Sequence, residues 1–197
     1  MTYTEKILKL AQDNNGIVTS TQVTQAGINR EHLRVLVKKS LLERSERGVY
    51  IIPTMFDDEM FNLQMRFKRG IFSHETALFL LDLVDRTPGK YSMTFPLGYN
   101  TTALNTKNVK YYRVKHDLYK LGIITAKSPG GNNIRLYNAE KTLCDILKGR
   151  NSTEIQIVTD AFKHYARLDK KDIPLISKYA KLLRVDKKLR SYLEVLL

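Results

Sequence analysis

The apolar positions in the first fifty or so residues recur with the spacing of short amphipathic helices, and turn-forming residues interrupt them. The pattern predicts an extended pair at Ile17 and Val18 and three helices, over 3–14, 23–26 and 30–39. Two short strands, 41–44 and 49–52, then flank the polar turn Ser45–Gly48. This order of elements is that of a winged helix-turn-helix, and we predict such a DNA-binding domain over residues 1–54.

The third predicted helix has two chemically distinct sides. Leu33, Leu36 and Val37 share one stripe. Arg30, Arg34 and Lys38 follow one another at four-residue intervals on the opposite side, with Glu31 beside them. A helix divided in this way can bury one side and read the edges of bases with the other. Two alternatives stay open, a solvated basic face and a winged helix that binds protein only.

The predicted DNA contacts follow from the usual docking of this fold. Arg30 or Arg34 would donate two hydrogen bonds to a guanine in the major groove, and Arg47 at the wing tip would reach a minor groove. The hydroxyls that open the second helix would meet a phosphate. The complete predicted set is Ser20, Thr21, Asn29, Arg30, Glu31, Arg34, Lys38, Lys39, Arg44 and Arg47.

Beyond residue 54 the pattern alternates between strands and helices before turning fully helical. One strand is predicted to end at Phe72, and further strands are predicted over 91–97, 111–115, 122–127 and 134–137. Helices are predicted over 57–69 and 75–83. Four helical blocks follow from Ala139 to the C-terminus, with predicted N-caps at Asn138 and Ser152, a stop at Gly149 and Pro174 in a first turn. Ser73 is a further predicted N-cap. The fold class is therefore α+β, with the winged helix followed by a larger α+β domain, 55–197, that has a small sheet and a helical C-terminal end.

Charge and composition add a preference for anionic partners. Lys and Arg outnumber Asp and Glu by 33 to 20, a net charge of +13. A dense positive run near the C-terminus is a possible second surface for DNA, RNA or an acidic protein partner: Lys163, Arg167, Lys170, Lys171, Lys178, Lys181, Arg184, Lys187, Lys188 and Arg190. No membrane-spanning run or signal peptide is recognised, so we expect a cytoplasmic location and no membrane partner.

Catalytic and metal-binding patterns are weak throughout the chain. The four histidines are scattered, and Cys144, the single cysteine, lies among apolar residues and is expected to be buried. The glycines of SPGGNN, residues 128–133, lack the lysine and helix of a phosphate-binding loop and predict a hairpin. We therefore expect no enzyme, metal or cofactor. A nuclease would have to use the acidic group at Asp57, Asp58 and Glu59, which is better suited to a helix start.

Three segments in order resemble the AbiEi-type antitoxins of abortive-infection (AbiE) phage-defence operons. These are the winged helix with GVYIIP at its wing, the run FSHETALFLLDL followed by MTFP, and NAEKTLCDIL at the start of the helical end. The resemblance implies a type IV antitoxin that represses its own operon at inverted repeats in duplex DNA. Its C-terminal domain would counteract a nucleotidyltransferase-like toxin without a stable complex, and the dense positive run from Lys163 to Arg190 would be its possible antitoxic surface.

Carried over by position, the resemblance assigns operator contacts to Asn29, Arg30, Arg34, Lys38 and Arg47. The alternative is a plain winged-helix regulator whose C-terminal domain senses a ligand or oligomerises. A gene for a nucleotidyltransferase next to this one would favour the antitoxin.

Overall fold

The computed structural model describes residues 1–53, 58–104, 108–148 and 153–196. The predictions for Asp57, Gly149 and Ser152 lie outside these residues. The chain divides into two compact units. The first comprises Met1–Lys68 and Lys127–Ile134, and the second comprises Arg69–Ala126 and Arg135–Leu197. The predicted domain of residues 1–54 lies within the first unit, which also takes in a further helix and the turn of a hairpin.

The first unit is built from four helices and three short strands. In chain order these are α1 (Tyr3–Gln12), β1 (Ile17–Thr19), α2 (Ser20–Gln25), α3 (Glu31–Lys38), β2 (Glu43–Glu46), β3 (Val49–Ile51) and α4 (Glu59–Arg66). The strands form an antiparallel sheet in the order β1-β3-β2. Capping boxes begin α1 and α2, where Thr2 pairs with Glu5 and Thr19 with Gln22. The first fifty residues thus have the winged helix-turn-helix arrangement that the sequence predicted.

The small sheet of the first unit has apolar residues on both faces, because successive strand residues point to opposite sides. One core contains Val18 together with Ile7, Leu33 and Leu36 from the helices. A second, smaller cluster joins Ile17, Val49 and Ile51, and Phe61 and Met65 of α4 pack against it. Helix α4 therefore covers the sheet face that the three helices leave uncovered.

A buried carboxylate links α4 to the hairpin turn of the first unit. Asp58 is the N-cap of α4, and its Oδ1 accepts a hydrogen bond from Phe61 N at 3.0 Å. Its Oδ2 accepts from Asn132 Nδ2 at 3.0 Å and from the Ser128 hydroxyl. Ser128 Oγ in turn accepts from Asn132 N at 3.0 Å. The turn is thus held by side chains as well as by its own backbone.

The second unit carries a five-stranded mixed sheet in the order β6-β5-β4-β8-β7. Its strands are β4 (Ile71–Phe72), β5 (Tyr91–Pro96), β6 (Val109–Val114), β7 (Ile123–Lys127) and β8 (Asn133–Tyr137). Strand β4 runs antiparallel to β5 and parallel to β8, and β5 runs parallel to β6. The residues between β7 and β8 are counted with the first unit.

Six helices complete the second unit within the described residues. They are α5 (His74–Leu80), α6 (His116–Tyr119), α7 (Ala139–Ile146), α8 (Ile155–Arg167), α9 (Ile173–Leu183) and α10 (Asp186–Leu196), with a single 3₁₀ turn at Thr102–Leu104. The main core lies among α5 and α7–α10, where Leu143, Phe162 and Ile176 are buried. The predicted α+β class, with a small sheet and a helical C-terminal end, is confirmed.

Two predicted caps in the second unit behave differently. Asn138 caps α7 as expected, since its Oδ1 accepts a hydrogen bond from Lys141 N at 3.1 Å. Ser73 occupies the N-cap position of α5 but makes no side-chain cap bond, so that prediction was wrong in its chemistry. Its hydroxyl is used elsewhere, because Thr94 Oγ1 donates to it at 2.9 Å and His74 Nδ1 lies 3.0 Å away.

Helix α6 was not predicted, and its four residues are too short to show a periodic pattern. In the ranges that the structure covers, no helix is long and apolar enough to cross a membrane.

Candidate nucleic-acid interface

Helix α3 presents a polar surface that is fixed from behind by its apolar residues. Leu33 and Leu36 are buried in the core of the first unit, while Arg34 and Lys38 are exposed. The N-cap residue Arg30 makes no side-chain cap bond, but Asn29 Oδ1, one position earlier, accepts a hydrogen bond from Glu31 N at 2.9 Å. The cationic side chains therefore project from an element whose orientation the core determines.

The two arginines of this surface differ in how they are held. Arg34 pairs with Glu31 at 2.9 Å, but the two side chains are 79% and 61% exposed, so the pair is weak and solvated. Arg30 Nε donates to Thr24 Oγ1 at 2.7 Å, which connects the start of α3 to α2. Arg34 is consequently the arginine whose guanidinium can turn toward a base at little cost.

The wing and the start of α2 lie side by side. Ser20 N donates to Gly48 O at 2.9 Å, and Gly48, with φ at +80°, turns the chain between β2 and β3. The bond brings the hydroxyl-bearing start of α2, Ser20 and Thr21, next to Arg47 at the wing tip. The structure thus brings Ser20 and Thr21 beside a predicted residue that lies more than twenty positions further along the sequence.

A groove of about 690 Å³ begins at this point and extends along the first unit. Ser20, Thr21 and Arg47 line it together with Lys68 and Lys127, two cations that were not in the predicted set. Lys68 follows α4, and Lys127 begins the hairpin turn that Asp58 holds. No local signal in the sequence marks these lysines, because their position depends on a contact between residues some seventy positions apart.

Helix α4 also supports the wing directly. Arg66 Nη1 lies 2.6 Å from Glu46 Oε2 on β2, and these side chains are only 31% and 21% exposed. Asn62 Nδ2 donates to Ser45 Oγ on the same strand at 2.9 Å. The wing is therefore anchored on the side facing α4.

The remaining predicted residues of the first unit, Lys38, Lys39 and Arg44, are exposed. In the second unit, the predicted basic set is spread over several elements. Lys163 and Arg167 lie on α8, Lys170 and Lys171 precede α9, Lys178 and Lys181 lie on α9, Arg184 is its C-cap, and Lys187, Lys188 and Arg190 lie on α10. All are exposed except Lys171, which is half-buried.

Residues considered for catalysis are occupied by structural roles. Burial raises the pKa of the Cys144 thiol to about 12, so the thiolate nucleophile is suppressed. Asp58 caps α4 and holds the hairpin turn, which removes it from the acidic group that a nuclease would need. Among the residues that the structure describes, no cluster of three or more His, Cys, Asp or Glu could hold a metal ion.

The first unit has the arrangement of a winged helix-turn-helix, in which a helix-turn-helix is followed by a two-stranded wing. Residues 5–53 match the family model described as "Transcriptional regulator, AbiEi antitoxin". The N-terminal segment is therefore similar to the AbiEi antitoxin regulators, and the resemblance expected from the sequence is confirmed there.

Comparison with solved structures extends the fold relationship to most of the chain. The crystal structure of the RV2827C protein from Mycobacterium tuberculosis is similar with a TM-score of 0.59 at 16% identity. The match covers 92% of this chain and 72% of that one. At this identity the likeness shows the fold alone. Among curated proteins, no relative matches the sequence.

Proposed function

We propose that this protein is the antitoxin of an abortive-infection operon and represses that operon by binding inverted repeats in its promoter. The observation that carries the proposal is the exposed cationic side of α3, fixed by the buried Leu33 and Leu36 within the segment that matches the regulator family. A recognition helix needs this combination, because base readout requires side chains presented at a fixed angle.

The proposed readout assigns bases and phosphates to different residues. Arg34, held only by its exposed pair with Glu31, contacts a guanine edge in the major groove. Lys38, Lys39 and Arg44 approach the phosphates that flank this contact. Arg30 contributes charge and keeps α2 and α3 in register through Thr24. Sequence specificity therefore rests on Arg34 more than on its neighbours.

The wing side of the unit extends the contact along the duplex. Arg47 enters a minor groove or meets its backbone, and the hydroxyls of Ser20 and Thr21 donate to a nearby phosphate. Lys68 and Lys127 line the same groove as these residues and add two phosphate contacts. The binding site proposed here is thus larger than the winged helix alone and includes the hairpin turn.

The experiment is footprinting on the DNA upstream of this chain's own gene, at two salt concentrations and against random duplex as competitor. We expect protection of an inverted repeat that survives salt better than binding to random DNA. Arg34→Ala is expected to abolish the preference for the repeat, whereas Arg47→Ala weakens binding to both duplexes. Lys120→Ala, at an exposed cation outside both predicted basic sets, is the matched control. An equal loss of repeat and random binding in Arg34→Ala refutes the division of roles.

The second half of the proposal assigns neutralisation of a nucleotidyltransferase-like toxin to the second unit, without a stable complex. Support comes from the family of the N-terminal segment. Co-expression of the full chain with the product of the adjacent gene tests it, and growth should be restored. Arg34→Ala should still restore growth when both genes are driven from foreign promoters, because only repression needs the DNA contact. Failure of the wild-type chain to restore growth contradicts the antitoxin role.

One observation favours a second candidate function, a regulator whose C-terminal unit senses a ligand. The second unit contains a cavity of about 700 Å³, a volume typical of small-molecule sites. The two functions are compatible, since a ligand could adjust repression by an antitoxin.

A further inference from the structure

The cavity of the second unit lies where β6, α7 and the connection from α9 to α10 come together. Its volume is about 700 Å³, within the range of roughly 300–1,000 Å³ that small-molecule sites occupy. Arg113 and Val114 of β6, Asp145 and Leu147 at the end of α7, and residues 183–188 line it. No part of the proposed DNA interface contributes to this cavity, so an inference about it does not depend on the proposed function.

Positive charge dominates the lining. Five cations, Arg113, Lys148, Arg184, Lys187 and Lys188, face two carboxylates, Asp145 and Asp186. Asp145 is already paired, since its carboxylate lies 2.5 Å from Lys141 Nζ and 3.3 Å from Lys148 Nζ. Within the described part of the chain, Arg113, Arg184 and Lys187 form no ion pair. These three side chains are available to an anionic ligand.

Aromatic and apolar groups form the other part of the lining. The rings of His74 and Tyr112 are stacked at 3.6 Å with an interplanar angle of 12°. His74 is buried and has a left-handed backbone, with φ at +49°, a conformation that side chains other than glycine adopt at a cost. Leu147, Leu183 and Val185 add apolar surface. The lining thus combines groups that suit a flat ring with groups that suit a polyanion.

We propose that this cavity binds an organic phosphate of the nucleotide class. Its phosphates would contact Arg113, Arg184 and Lys187, and its ring would lie against Tyr112 and the apolar residues. A single guanidinium can donate two parallel hydrogen bonds to a phosphate, which a lysine ammonium does not provide. A cavity of this volume holds one small molecule, which favours a small ligand over an acidic segment of another protein.

The structure also separates this site from the rest of the predicted basic set. Of the ten cations in that set, only Arg184, Lys187 and Lys188 line the cavity, and Lys188 Nζ already donates to Leu147 O at 3.0 Å. Lys163, Arg167 and Lys178 lie on α8 and α9 outside it. The outside group therefore provides control substitutions of the same chemistry and exposure.

The test is isothermal titration of the full chain with ATP, GTP, CTP and UTP in turn, and with inorganic tripolyphosphate. At least one nucleotide is expected to bind tenfold or more tightly than tripolyphosphate. Arg113→Gln and Arg184→Gln should each raise its Kd at least tenfold, whereas Lys163→Gln and Lys178→Gln leave it unchanged. Thermal melts of all four variants check that each one is folded, and Lys187→Gln replaces any variant that is not.

A second arm identifies where the phosphate comes from. A hexanucleotide with a 5′-phosphate and the same hexanucleotide with a 5′-hydroxyl are each used as competitors. Better competition by the phosphorylated form assigns the site to strand ends, and failure of both to compete assigns it to free nucleotides. The proposal is overturned if no nucleotide binds at millimolar concentration, or if tripolyphosphate binds as tightly as the nucleotides. It is also overturned if the control variants lose as much nucleotide affinity as Arg113→Gln and Arg184→Gln, or if a polyglutamate peptide binds more tightly than any nucleotide. None of these outcomes bears on the DNA experiment, because Arg34→Ala should bind the nucleotide as the wild type does.

Discussion

Asp58 Oδ2 accepts a hydrogen bond from Asn132 Nδ2 at 3.0 Å, although 74 positions separate the two residues. The same carboxylate caps α4, the helix that packs against the wing sheet. One buried side chain thus begins the helix behind the wing and holds the turn that lines the groove beside the wing tip. The geometry of the proposed DNA interface consequently depends on a residue that has no role in contacting DNA.

We predict that Asp58→Ala destabilises the first unit strongly. The change removes an N-cap and leaves the Ser128 and Asn132 donors without their buried acceptor, and such losses together cost about 2–4 kcal/mol. Urea denaturation of the full chain, followed by circular dichroism, measures the loss. Asp85→Ala, at an exposed carboxylate of the second unit, should change the free energy of unfolding by less than about 0.5 kcal/mol. A change of less than about 0.5 kcal/mol for Asp58→Ala as well would contradict its anchoring role.

The hairpin turn provides an independent test through its glycines. A Cβ at Gly130 would lie 2.6 Å from Asp58 Oδ2 and 2.8 Å from Asp58 Cβ, a separation that forces the carboxylate to move. Gly130→Ala is therefore expected to lower the melting temperature and, in the footprinting assay, to weaken binding to both duplexes alike. Gly89→Ala is the matched control, because a Cβ there meets nothing within 4 Å. Equal melting temperatures for the two variants would show that the turn accommodates the added methyl group without loss of stability.

The sequence predicted the first unit well because its signals are local. The threonine caps, the leucine stripe of α3 and the glycine of the wing each act within a few residues. Asp58 shows the limit of this reasoning. In the sequence it stands with Asp57 and Glu59 and suggests only a helix start, whereas its bonds to Ser128 and Asn132 depend on tertiary structure. The two groove lysines were missed for the same reason.

In the second unit the missed residues are buried ionisable groups. Lys141 has no exposed surface, yet a lysine in an amphipathic pattern is ordinarily assigned to solvent. His74 begins α5, and its stacking on Tyr112 could not be inferred from sequence. Both positions became visible only when the structure showed which groups surround them.

His74 leads to a prediction about pH. Burial lowers the pKa of its imidazole from 6.5 to about 3, so the folded chain keeps this ring neutral while the unfolded chain takes up a proton. The stability that depends on neutral His74 is complete above pH 6.5 and decreases as the pH falls toward 3. By linkage, the loss attributable to this group at pH 5 is about 2 kcal/mol.

We expect His74→Asn to reduce the dependence of stability on pH. Asparagine tolerates the left-handed backbone at this position and does not titrate, so the difference in unfolding free energy between pH 7.5 and pH 5 should shrink by about 2 kcal/mol. Urea titrations at the two pH values measure that difference. His116→Gln, at an exposed histidine, is the control substitution. An unchanged difference in His74→Asn would mean that the buried ring does not set the pH dependence.

The buried pair of Lys141 and Asp145 leads to a prediction of unequal single mutants. Their side chains are 0% and 2% exposed and lie 2.5 Å apart, so each charge depends on the other. Burial lowers the pKa of Lys141, and the nearby ammonium keeps that of the Asp145 carboxyl below its ordinary value despite burial. Asp145 has a second partner in Lys148 at 3.3 Å, whereas Lys141 has no other carboxylate in an ion pair within the described residues.

Asp145→Leu should therefore cost more than Lys141→Met. Removing the carboxylate leaves a buried ammonium without compensation, a loss of about 3–5 kcal/mol, while removing the lysine leaves Asp145 paired with Lys148. The double variant removes both buried charges and should be more stable than Asp145→Leu alone, since an apolar pair of similar volume often replaces a buried ion pair without loss. Chemical denaturation of the four proteins completes the cycle. Additive losses would show that the two charges do not depend on each other.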